Sequence, residues 1–570
     1  MGSLVHVPFH GRASRGWIVG ETDDVPARVL PVRGVLSPVR FFDASSLELL
    51  RWVSERYVAP LATVIGRSHP PRVVSEEATA PPPPTREGGE HRSEDRRPPG
   101  PLDRRPPGPL DGYRNGPALR GALSDGGGAF VLRPAPEDEA ASALDAVAAC
   151  LASGRRAIVL VPEASPLPAT ATVLADAFGD RLALHLGGAK RERYRRWLEI
   201  AGGRYDVVVG THATVFAPLP DVGLVLVSRE SHRAHREDRA PSYHVREVAM
   251  ERARRAGAVC LLSALCPSSE AAALGLTQVS PAGRRWPPVE VVRPGPEGRA
   301  PRLVRALREV TRGFLYAPLP GYGIAQVCRS CGAPAACAAC GGVLRSEEGA
   351  VRCVVCGSPG RCGVCGATDL GIRRGGAERV EEWTAALASV PVRRPARPRA
   401  PRAREILVGG AEVVRDLGPL DLELVGVLEA DHAERRPGIF AREQALATWM
   451  EAVGWAAPHG RAIVQSSRPG DPAVQALVRG NPDRFHADEA SRRLDAGFPV
   501  GAPVFRVAGT ADLEARLAAL HPITLIVSSI GDAVVCLLAL DPGSVGAFGR
   551  VARALVTEGV VTRVDAEPHL

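Results

Sequence analysis

Eight of the twelve cysteines in this chain lie between Cys328 and Cys365, in four Cys-x-x-Cys pairs. Each pair can bring two thiolates to one tetrahedral Zn²⁺, and two pairs complete a four-thiolate site with no open position. A redox dithiol or a disulfide cluster is the alternative interpretation, and the regularity of four pairs disfavours both. The sequence therefore predicts a structural module with two zinc ions, at about residues 325–370.

The spacing of the pairs predicts which cysteines share an ion. Twelve residues separate the two inner pairs, which is enough for a hairpin, whereas only five separate an outer pair from its inner neighbour. A sequential arrangement would crowd two turns over those five residues, so a nested arrangement is favoured. The predicted ligands of the first zinc are Cys328, Cys331, Cys362 and Cys365, and those of the second zinc are Cys337, Cys340, Cys353 and Cys356.

Composition and charge narrow the class of protein. The net charge is +8, which favours a polyanionic partner such as nucleic acid, and Lys190 is the single lysine. The amino terminus lacks a basic segment followed by an apolar core, and no run of about 18 apolar residues predicts a membrane span. We therefore expect a cytoplasmic protein with no membrane partner, in a compartment that keeps cysteines reduced.

The pattern along the chain predicts an α/β multidomain protein. Apolar runs such as Leu224–Val227 and Ile406–Val408 alternate with helices, which indicates parallel sheets covered on both faces. The predicted units are a small α/β domain at 1–70, a Pro/Arg-rich disordered linker at 71–116, two parallel-sheet lobes at 117–285 and 286–480, and an α+β domain at 481–570. The zinc module interrupts the second lobe.

Several segments resemble the PriA family of bacterial replication-restart proteins, in its actinobacterial type. They are Val5–Arg12 with Trp17–Gly20, Leu160–Glu163, Val209–Thr211, Ser242–Arg246, Gly376–Glu382 and the nested cysteines. The resemblance implies a DNA 3′-end-binding domain at 1–70, two helicase-like lobes and an inserted zinc module. Family members begin with further strands before Val5 and usually carry a winged-helix domain where the linker stands here, so 3′-end recognition is left open.

The residues expected of an ATPase motor differ here. At the place of the phosphate loop we find Leu123–Phe130, which lacks the lysine and the Ser/Thr that such a loop needs. Ser228 and Arg229 stand where the resemblance implies an Asp-Glu pair, and the arginine-rich motif of the second lobe is missing around Val453–Pro458. We therefore expect a chain that is not an enzyme, while weak ATP binding through backbone amides stays open.

Two further groups of residues have a functional and a structural interpretation. His232, His235 and His244 lie near Glu237 and Asp238 and could form a metal site, although a solvated loop is favoured. A basic helix could present Tyr194 and Trp197 to a DNA strand, or bury them as a structural face. The arginines of that helix are Arg191, Arg193, Arg195 and Arg196.

The function expected from the sequence is binding of branched or single-stranded DNA at stalled forks and assembly of the primosome, without unwinding. The partners implied are DNA and the primosome and replication proteins. Two alternatives remain, an active ATP-dependent 3′→5′ helicase and a zinc-stabilised interaction protein that does not bind DNA specifically.

Overall fold

The structure is a computed structural model of the 570-residue chain. It describes the chain except for residues 10–11, 26–28, 78–107, 296–298, 318–323, 332, 334, 336, 340–341, 343, 348–349, 354–355, 374–375, 432–437, 531–532 and 569–570. No helix within the described ranges is long and apolar enough to cross a bilayer.

The amino-terminal unit is a three-stranded antiparallel sheet covered by helices. Its elements are β1 (Ser3–Phe9), β2 (Arg12–Trp17), β3 (Gly34–Arg40), α1 (Ala44–Arg56), α2 (Leu61–Arg67) and α3 (Val74–Glu77), with strand order β2-β1-β3. The Asp43 carboxylate accepts a hydrogen bond of 2.8 Å from the N–H of Ser46 and caps α1. Leu47, Leu50 and Val53 face the core, as their helical spacing predicts.

The first lobe contains an eight-stranded sheet. Its elements are β4 (Tyr113–Arg114), α4 (Gly116–Asp125), β5 (Ala129–Leu132), α5 (Glu139–Ala152), β6 (Arg156–Leu160), α6 (Ala169–Phe178), β7 (Leu182–His185), α7 (Lys190–Ala201), β8 (Val207–Gly210), β9 (Val222–Ser228), α8 (Val245–Ala256), β10 (Val259–Ser263), α9 (Ser269–Ala273) and β11 (Thr277–Pro281). The strand order is β4-β11-β5-β10-β9-β6-β8-β7, and every pairing except β4 with β11 is parallel. The seven residues of β9 are all buried, because helices cover both faces of the sheet.

The second lobe contains a six-stranded parallel sheet of order β12-β21-β20-β13-β19-β18. Its elements are β12 (Val289–Val292), α10 (Pro301–Glu309), β13 (Arg312–Tyr316), α11 (Ala377–Ala385), β18 (Val392–Arg393), β19 (Glu405–Gly409), β20 (Leu424–Val427), α12 (Ala441–Gly454), β21 (Arg461–Gln465), α13 (Pro472–Arg479) and α14 (Asp483–Asp495). The cysteine module enters after β13 as the strands β14 (Ile324–Cys328), β15 (Leu344–Glu347), β16 (Ala350–Cys353) and β17 (Leu370–Arg373), in the order β16-β15-β14-β17.

The carboxy-terminal unit is an antiparallel sheet of order β23-β24-β22-β25 with two helices. Its elements are β22 (Val504–Gly509), α15 (Leu513–Ala518), β23 (Thr524–Ile530), β24 (Ala533–Ala539), α16 (Val545–Thr557) and β25 (Val561–Ala566). The predicted fold class is therefore confirmed. The predicted boundary placed residues 483–495 in this unit. They form helix α14, which instead contributes the fully buried Phe485 to the core of the second lobe.

The predicted linker differs from the structure at both of its ends. Glu76 and Glu77 of α3 are buried, because Glu77 pairs with Arg72 and accepts a hydrogen bond of 2.8 Å from the Tyr194 hydroxyl. At the other end, Leu110 and Tyr113 are buried in the core of the first lobe. Residues 78–107 lie outside the described residues, and they include the first copy of a repeated Arg-Arg-Pro-Pro-Gly-Pro-Leu-Asp segment (96–103) and half of the second copy (104–111).

Candidate metal centres and the cleft between the lobes

The four Cys-x-x-Cys turns share one backbone hydrogen bond. In each turn the N–H of the first cysteine donates to the carbonyl five residues later, at 2.8 to 2.9 Å. The donor and acceptor residues are Cys328 and Ala333, Cys337 and Gly342, Cys353 and Ser358, and Cys362 and Ala367. The four turns therefore repeat one backbone geometry at their first cysteine.

The outer turns meet to form the first cluster. The sulfur atoms of Cys328 and Cys365 lie 3.6 Å apart, and those of Cys331 and Cys362 lie 3.7 Å apart. All four sulfur atoms of this group are within 4.8 Å of one another. Zn–S bonds of about 2.3 Å in a tetrahedron place sulfur atoms about 3.8 Å apart, so the donor set fits Zn²⁺.

The inner turns form the second cluster. Cys337, Cys353 and Cys356 come together, with 3.7 Å between the sulfur atoms of Cys337 and Cys356. Cys340, the fourth predicted ligand, lies outside the described residues. The structure thus groups the described cysteines as the nested arrangement predicts, and both clusters could hold zinc. The assignment of the eight cysteines as metal ligands stays a prediction.

Backbone N–H groups favour the thiolate form of one ligand. The N–H groups of Cys365 and Val364 point at the sulfur of Cys362 and lower the pKa of that thiol to about 6. Metal ions bind thiolates rather than thiols, so these N–H groups favour the form of Cys362 that a cation would bind. Zinc, where bound, would supply cross-links between the strands of the module and no reactive position.

The cleft between the lobes lies at the carboxyl ends of the first-lobe strands. The glycine run Gly126–Gly128, predicted to stand at the place of a phosphate loop, precedes β5 instead of following it. The segment that follows β5 and leads into α5 is Arg133–Asp138, which contains Pro134 and Pro136. Sequence spacing placed the loop wrongly, because a glycine run by itself does not show on which side of a strand it falls.

Ser228 and Arg229 do occupy the end of β9, where the acidic pair was expected. The Arg229 guanidinium donates from Nε to Glu451 of α12 at 2.8 Å, which links the two lobes through a buried ion pair. The following residue, Glu230, is fully buried and accepts 2.7 Å hydrogen bonds from Arg246 Nη1 and Ser268 Oγ. These contacts hold β9, α8 and the start of α9 together.

Further charged residues from both lobes fill the same cleft. Arg415 Nε lies 2.5 Å from Glu163 Oε2, and the Asp416 carboxylate accepts from the N–H of Thr170 at 3.0 Å. Burial, and then the carboxylate of Asp416, raises the pKa of Glu139 to about 8. Sequence reasoning missed this cluster, because its members are far apart along the chain and none belongs to a local motif.

The three histidines do not assemble with ligand-type partners into a metal site among the described residues. His232 and His244 each accept a hydrogen bond of 3.2 Å through Nδ1 from a backbone N–H two residues later and so cap the starts of helices. His235 is buried, with its Nε2 at 2.7 Å from the carbonyl of Ser228. The histidines therefore shape a loop.

Helix α7 buries its aromatic side chains. Trp197 stacks on Phe41 of the amino-terminal unit with 5.8 Å between ring centroids, and Tyr194 donates to Glu77. Both aromatic residues are at most 2% exposed, so neither is presented to a nucleic acid strand. Arg191 pairs with Glu76, which adds an ion pair to the same contact. The structural interpretation of this helix therefore holds.

Comparisons with known proteins place these units in context. The family model of the PriA 3′ DNA-binding domain matches residues 1–70. Replication restart protein PriA of Treponema pallidum is 30% identical over 62% of this chain and 60% of its own length. The probable replication restart protein PriA of Mycobacterium tuberculosis is 29% identical over 90% of this chain and 82% of its own length.

Solved structures give a weaker likeness. The E. coli DExH-box NTPase HrpB is 14% identical, covers 64% of this chain and 42% of its own length, and has a TM-score of 0.35. A DEAD box protein from Methanococcus jannaschii is 13% identical over 64% of this chain and 88% of its own length, with a TM-score of 0.30.

Two parallel-sheet lobes with an inserted cysteine module form a helicase-like α/β fold, and residues 1–70 match a 3′ DNA-binding domain. With this architecture, the chain is similar to the PriA replication restart proteins over most of its length, and its residues 1–70 match their 3′ DNA-binding domain.

The prediction that the chain is not an enzyme is contradicted. The finding that overturns it is the similarity to PriA replication restart proteins, which extends over 90% of this chain and points to a helicase family. The prediction rested on single positions such as Ser228 and Arg229, and those positions describe the local sequence of one cleft. They do not define the class of protein.

Proposed function

We propose that this chain binds branched DNA at stalled replication forks in the cytoplasm and promotes reassembly of the primosome there. The observation that carries the proposal is the match of residues 1–70 to a 3′ DNA-binding domain, in a chain similar over 90% of its length to a replication restart protein. A 3′ DNA-binding domain is suited to a fork, since a fork presents the 3′ end of a nascent strand beside duplex DNA.

The packing of the amino-terminal unit supports a role that involves the whole chain. Its Phe41, the Trp197 of the first lobe and the Phe548 of the carboxy-terminal unit belong to one continuous hydrophobic cluster. A DNA end held by residues 1–70 would therefore have a fixed position relative to both neighbouring units. The two zinc ions, in this proposal, stabilise the inserted module as a further rigid surface.

Fork binding is tested by comparing affinities for a synthetic fork and for a plain duplex of the same length and charge. We expect the full chain to prefer the fork by at least about tenfold at roughly 150 mM salt, where sequence-independent phosphate contacts are weakened. Equal affinities would favour the interaction-protein alternative. Two preparations, one with and one without added zinc, would show whether the module contributes.

A second candidate function is ATP-dependent unwinding in the 3′→5′ direction, which the similarity to PriA replication restart proteins favours. It is tested by phosphate release from ATP with and without forked DNA, together with strand separation on the same substrate. A variant Glu230→Gln serves as the matched control, because Glu230 follows Arg229 at the acidic motif and is buried against Arg246. Release that persists unchanged in this variant would point to a contaminating ATPase.

A further inference from the structure

An arginine- and proline-rich segment forms the outer edge of the second lobe. Residues 393–404 read Arg-Arg-Pro-Ala-Arg-Pro-Arg-Ala-Pro-Arg-Ala-Arg, with six arginines and a proline at every third position from Pro395 to Pro401. The segment leaves β18, which is the outermost strand of the six-stranded sheet, and leads into β19. We call these residues the arginine edge.

The backbone of the arginine edge is held in place. Pro395 and Pro398 are half-buried and Pro401 is buried, so the prolines face the lobe, and each fixes its own φ. Arg394 pairs with Glu378 and with Glu381 of α11, at 3.0 Å between Nε and Oε2 for the second pair. These contacts fix the first half of the segment.

The second half is fixed in the same way. Arg399 forms a two-pronged ion pair with Glu405, with distances of 2.6 and 2.9 Å. The N–H of Arg402 donates to the same carboxylate at 3.0 Å, and Arg312 of β13 donates to the Pro401 carbonyl. Two of the six arginines thus serve to anchor the segment, and the anchored backbone sets the positions of the others.

Of the other four arginines, Arg402 lies beside the Glu405 carboxylate, so three exposed arginines remain without a carboxylate partner among the described residues. They are Arg393, Arg397 and Arg404, all on the solvent side of the segment. Like charges on one short rigid segment repel one another, and the repulsion is relieved when a polyanion binds. Arginine suits phosphate because its planar guanidinium donates two parallel hydrogen bonds to phosphate oxygens.

The composition of the segment indicates which polyanion it fits. It contains no aromatic residue on which an unpaired base could stack, which disfavours single-stranded DNA. Its apolar residues are alanine and proline, so it has no large side chains to insert into a lipid bilayer. Contacts to phosphates alone are typical of sequence-independent binding to duplex DNA.

We propose that the arginine edge binds the phosphate backbone of duplex DNA, through Arg393, Arg397 and Arg404. This rests on the proposed function and adds a surface to it, since a protein on a fork also meets the duplex beside the branch. The sequence already shows arginines between regularly spaced prolines. That pattern does not predict a binding surface by itself, because only the fold shows that the prolines face inward.

The test is the salt dependence of binding to a plain duplex by the full chain and by the variant Arg393→Gln/Arg397→Gln/Arg404→Gln. Each phosphate contact contributes about 0.9 to the magnitude of the slope of log K against log salt, where K is the binding constant. The variant lacks three such contacts, so its slope should be smaller in magnitude by about 3. The matched control is Arg204→Gln/Arg254→Gln/Arg516→Gln. These arginines are 49 to 69% exposed and each pairs with a glutamate, so the control removes equal charge and should keep the slope.

A second variant separates charge from folding. Substituting lysine at Arg393, Arg397 and Arg404 keeps the charge, and should recover most of the slope with the melting temperature unchanged. An unchanged slope in the glutamine variant, equal losses in the control, or binding to vesicles of anionic lipid in place of duplex would overturn the proposal. The two proposals can fail separately. If the wild-type chain binds fork and duplex equally well, but the glutamine variant has a reduced salt slope, the proposed function is wrong and the duplex-binding role of the arginine edge is supported.

Discussion

At the scale of single residues, the cysteine module depends on its thiols for more than metal binding. Among the described residues of the module, the buried core has six members, of which four are Cys328, Cys337, Cys353 and Cys362 and two are Leu344 and Leu370. So few apolar side chains bury too little surface to fold a unit of this size. Metal ligation must therefore provide much of the folding free energy of the module.

We expect two zinc ions per chain, and we expect single Cys→Ser variants to separate them. Cys328→Ser and Cys362→Ser should each lose the same ion and keep the other, whereas Cys353→Ser should lose the second ion. Metal analysis of purified variants gives the count. A pattern in which Cys328→Ser and Cys337→Ser lose one shared ion would contradict the nested arrangement.

The pH dependence of stability tests the carboxyl group in the cleft. The pKa of Glu139 is about 8 in the folded chain, well above its usual value of about 4.3, because the group is buried beside Asp416. The folded state therefore binds the extra proton, and stability should fall as pH rises from about 4.5 to 8. Glu139→Gln should flatten this decline and melt several degrees higher than the wild type at pH 8, by thermal unfolding. If the melting temperatures of the two proteins change with pH in parallel, Glu139 does not cause the decline.

At the scale of elements, α7 joins the DNA-binding unit to the first lobe. Trp197 packs on Phe41 and His69, with 5.8 and 6.0 Å between ring centroids, and α3 adds the contacts of Glu76 and Glu77. The helix is basic on its exposed side, where Arg195 lies, and apolar on its buried side. Its pattern alone does not reveal which partner the apolar side meets.

Truncating the tryptophan should release the amino-terminal unit. Trp197→Ala removes a large buried side chain, which costs about 3 to 5 kcal/mol. We expect faster proteolysis between residues 1–77 and the first lobe, with the rest of the chain still folded. Arg195→Ala, on the exposed side of the same helix, should leave the digestion pattern unchanged. Weaker binding of single-stranded DNA with no change in proteolysis would instead make Trp197 a DNA contact.

The elements that the sequence predicted well are those set by local pattern. The run Leu224–Val227 falls inside β9, because a strand that is buried on both faces leaves a continuous apolar run. The grouping of the cysteines also followed from chain length between turns. The predictions that failed concern the order of Gly126–Gly128 and β5 and the burial of Leu110, which depend on contacts across the chain.

At the scale of the whole molecule, buried ion pairs connect the two lobes. Arg229 of the first lobe pairs with Glu451 of α12, and Arg493 of α14 lies 2.7 Å from Glu270 of α9. Ser269 adds a hydrogen bond of 3.0 Å from its N–H to Glu443. These charged pairs lie in the buried interface at the cleft, and they hold the two lobes in one arrangement.

Removing one partner of the Arg229–Glu451 pair should lower the free energy of unfolding more than replacing both partners with apolar side chains. Arg229→Met leaves the Glu451 carboxylate buried without its partner, which costs about 3 to 5 kcal/mol, whereas Arg229→Met/Glu451→Leu should regain most of the loss. Denaturant unfolding of the two variants and of Glu451→Leu alone completes the cycle. Additive losses in the double variant would mean that the two side chains do not interact.

A chain that carries a 3′ DNA-binding domain beside helicase-like lobes is tested most directly by its response to a DNA 3′ end. The affinity of the full chain is measured for two synthetic forks. One fork carries a leading-strand 3′ hydroxyl at the junction, and the other lacks the leading strand and so has a gap there. We predict tighter binding to the first fork, by about fivefold or more. Equal affinity for both forks would contradict the account.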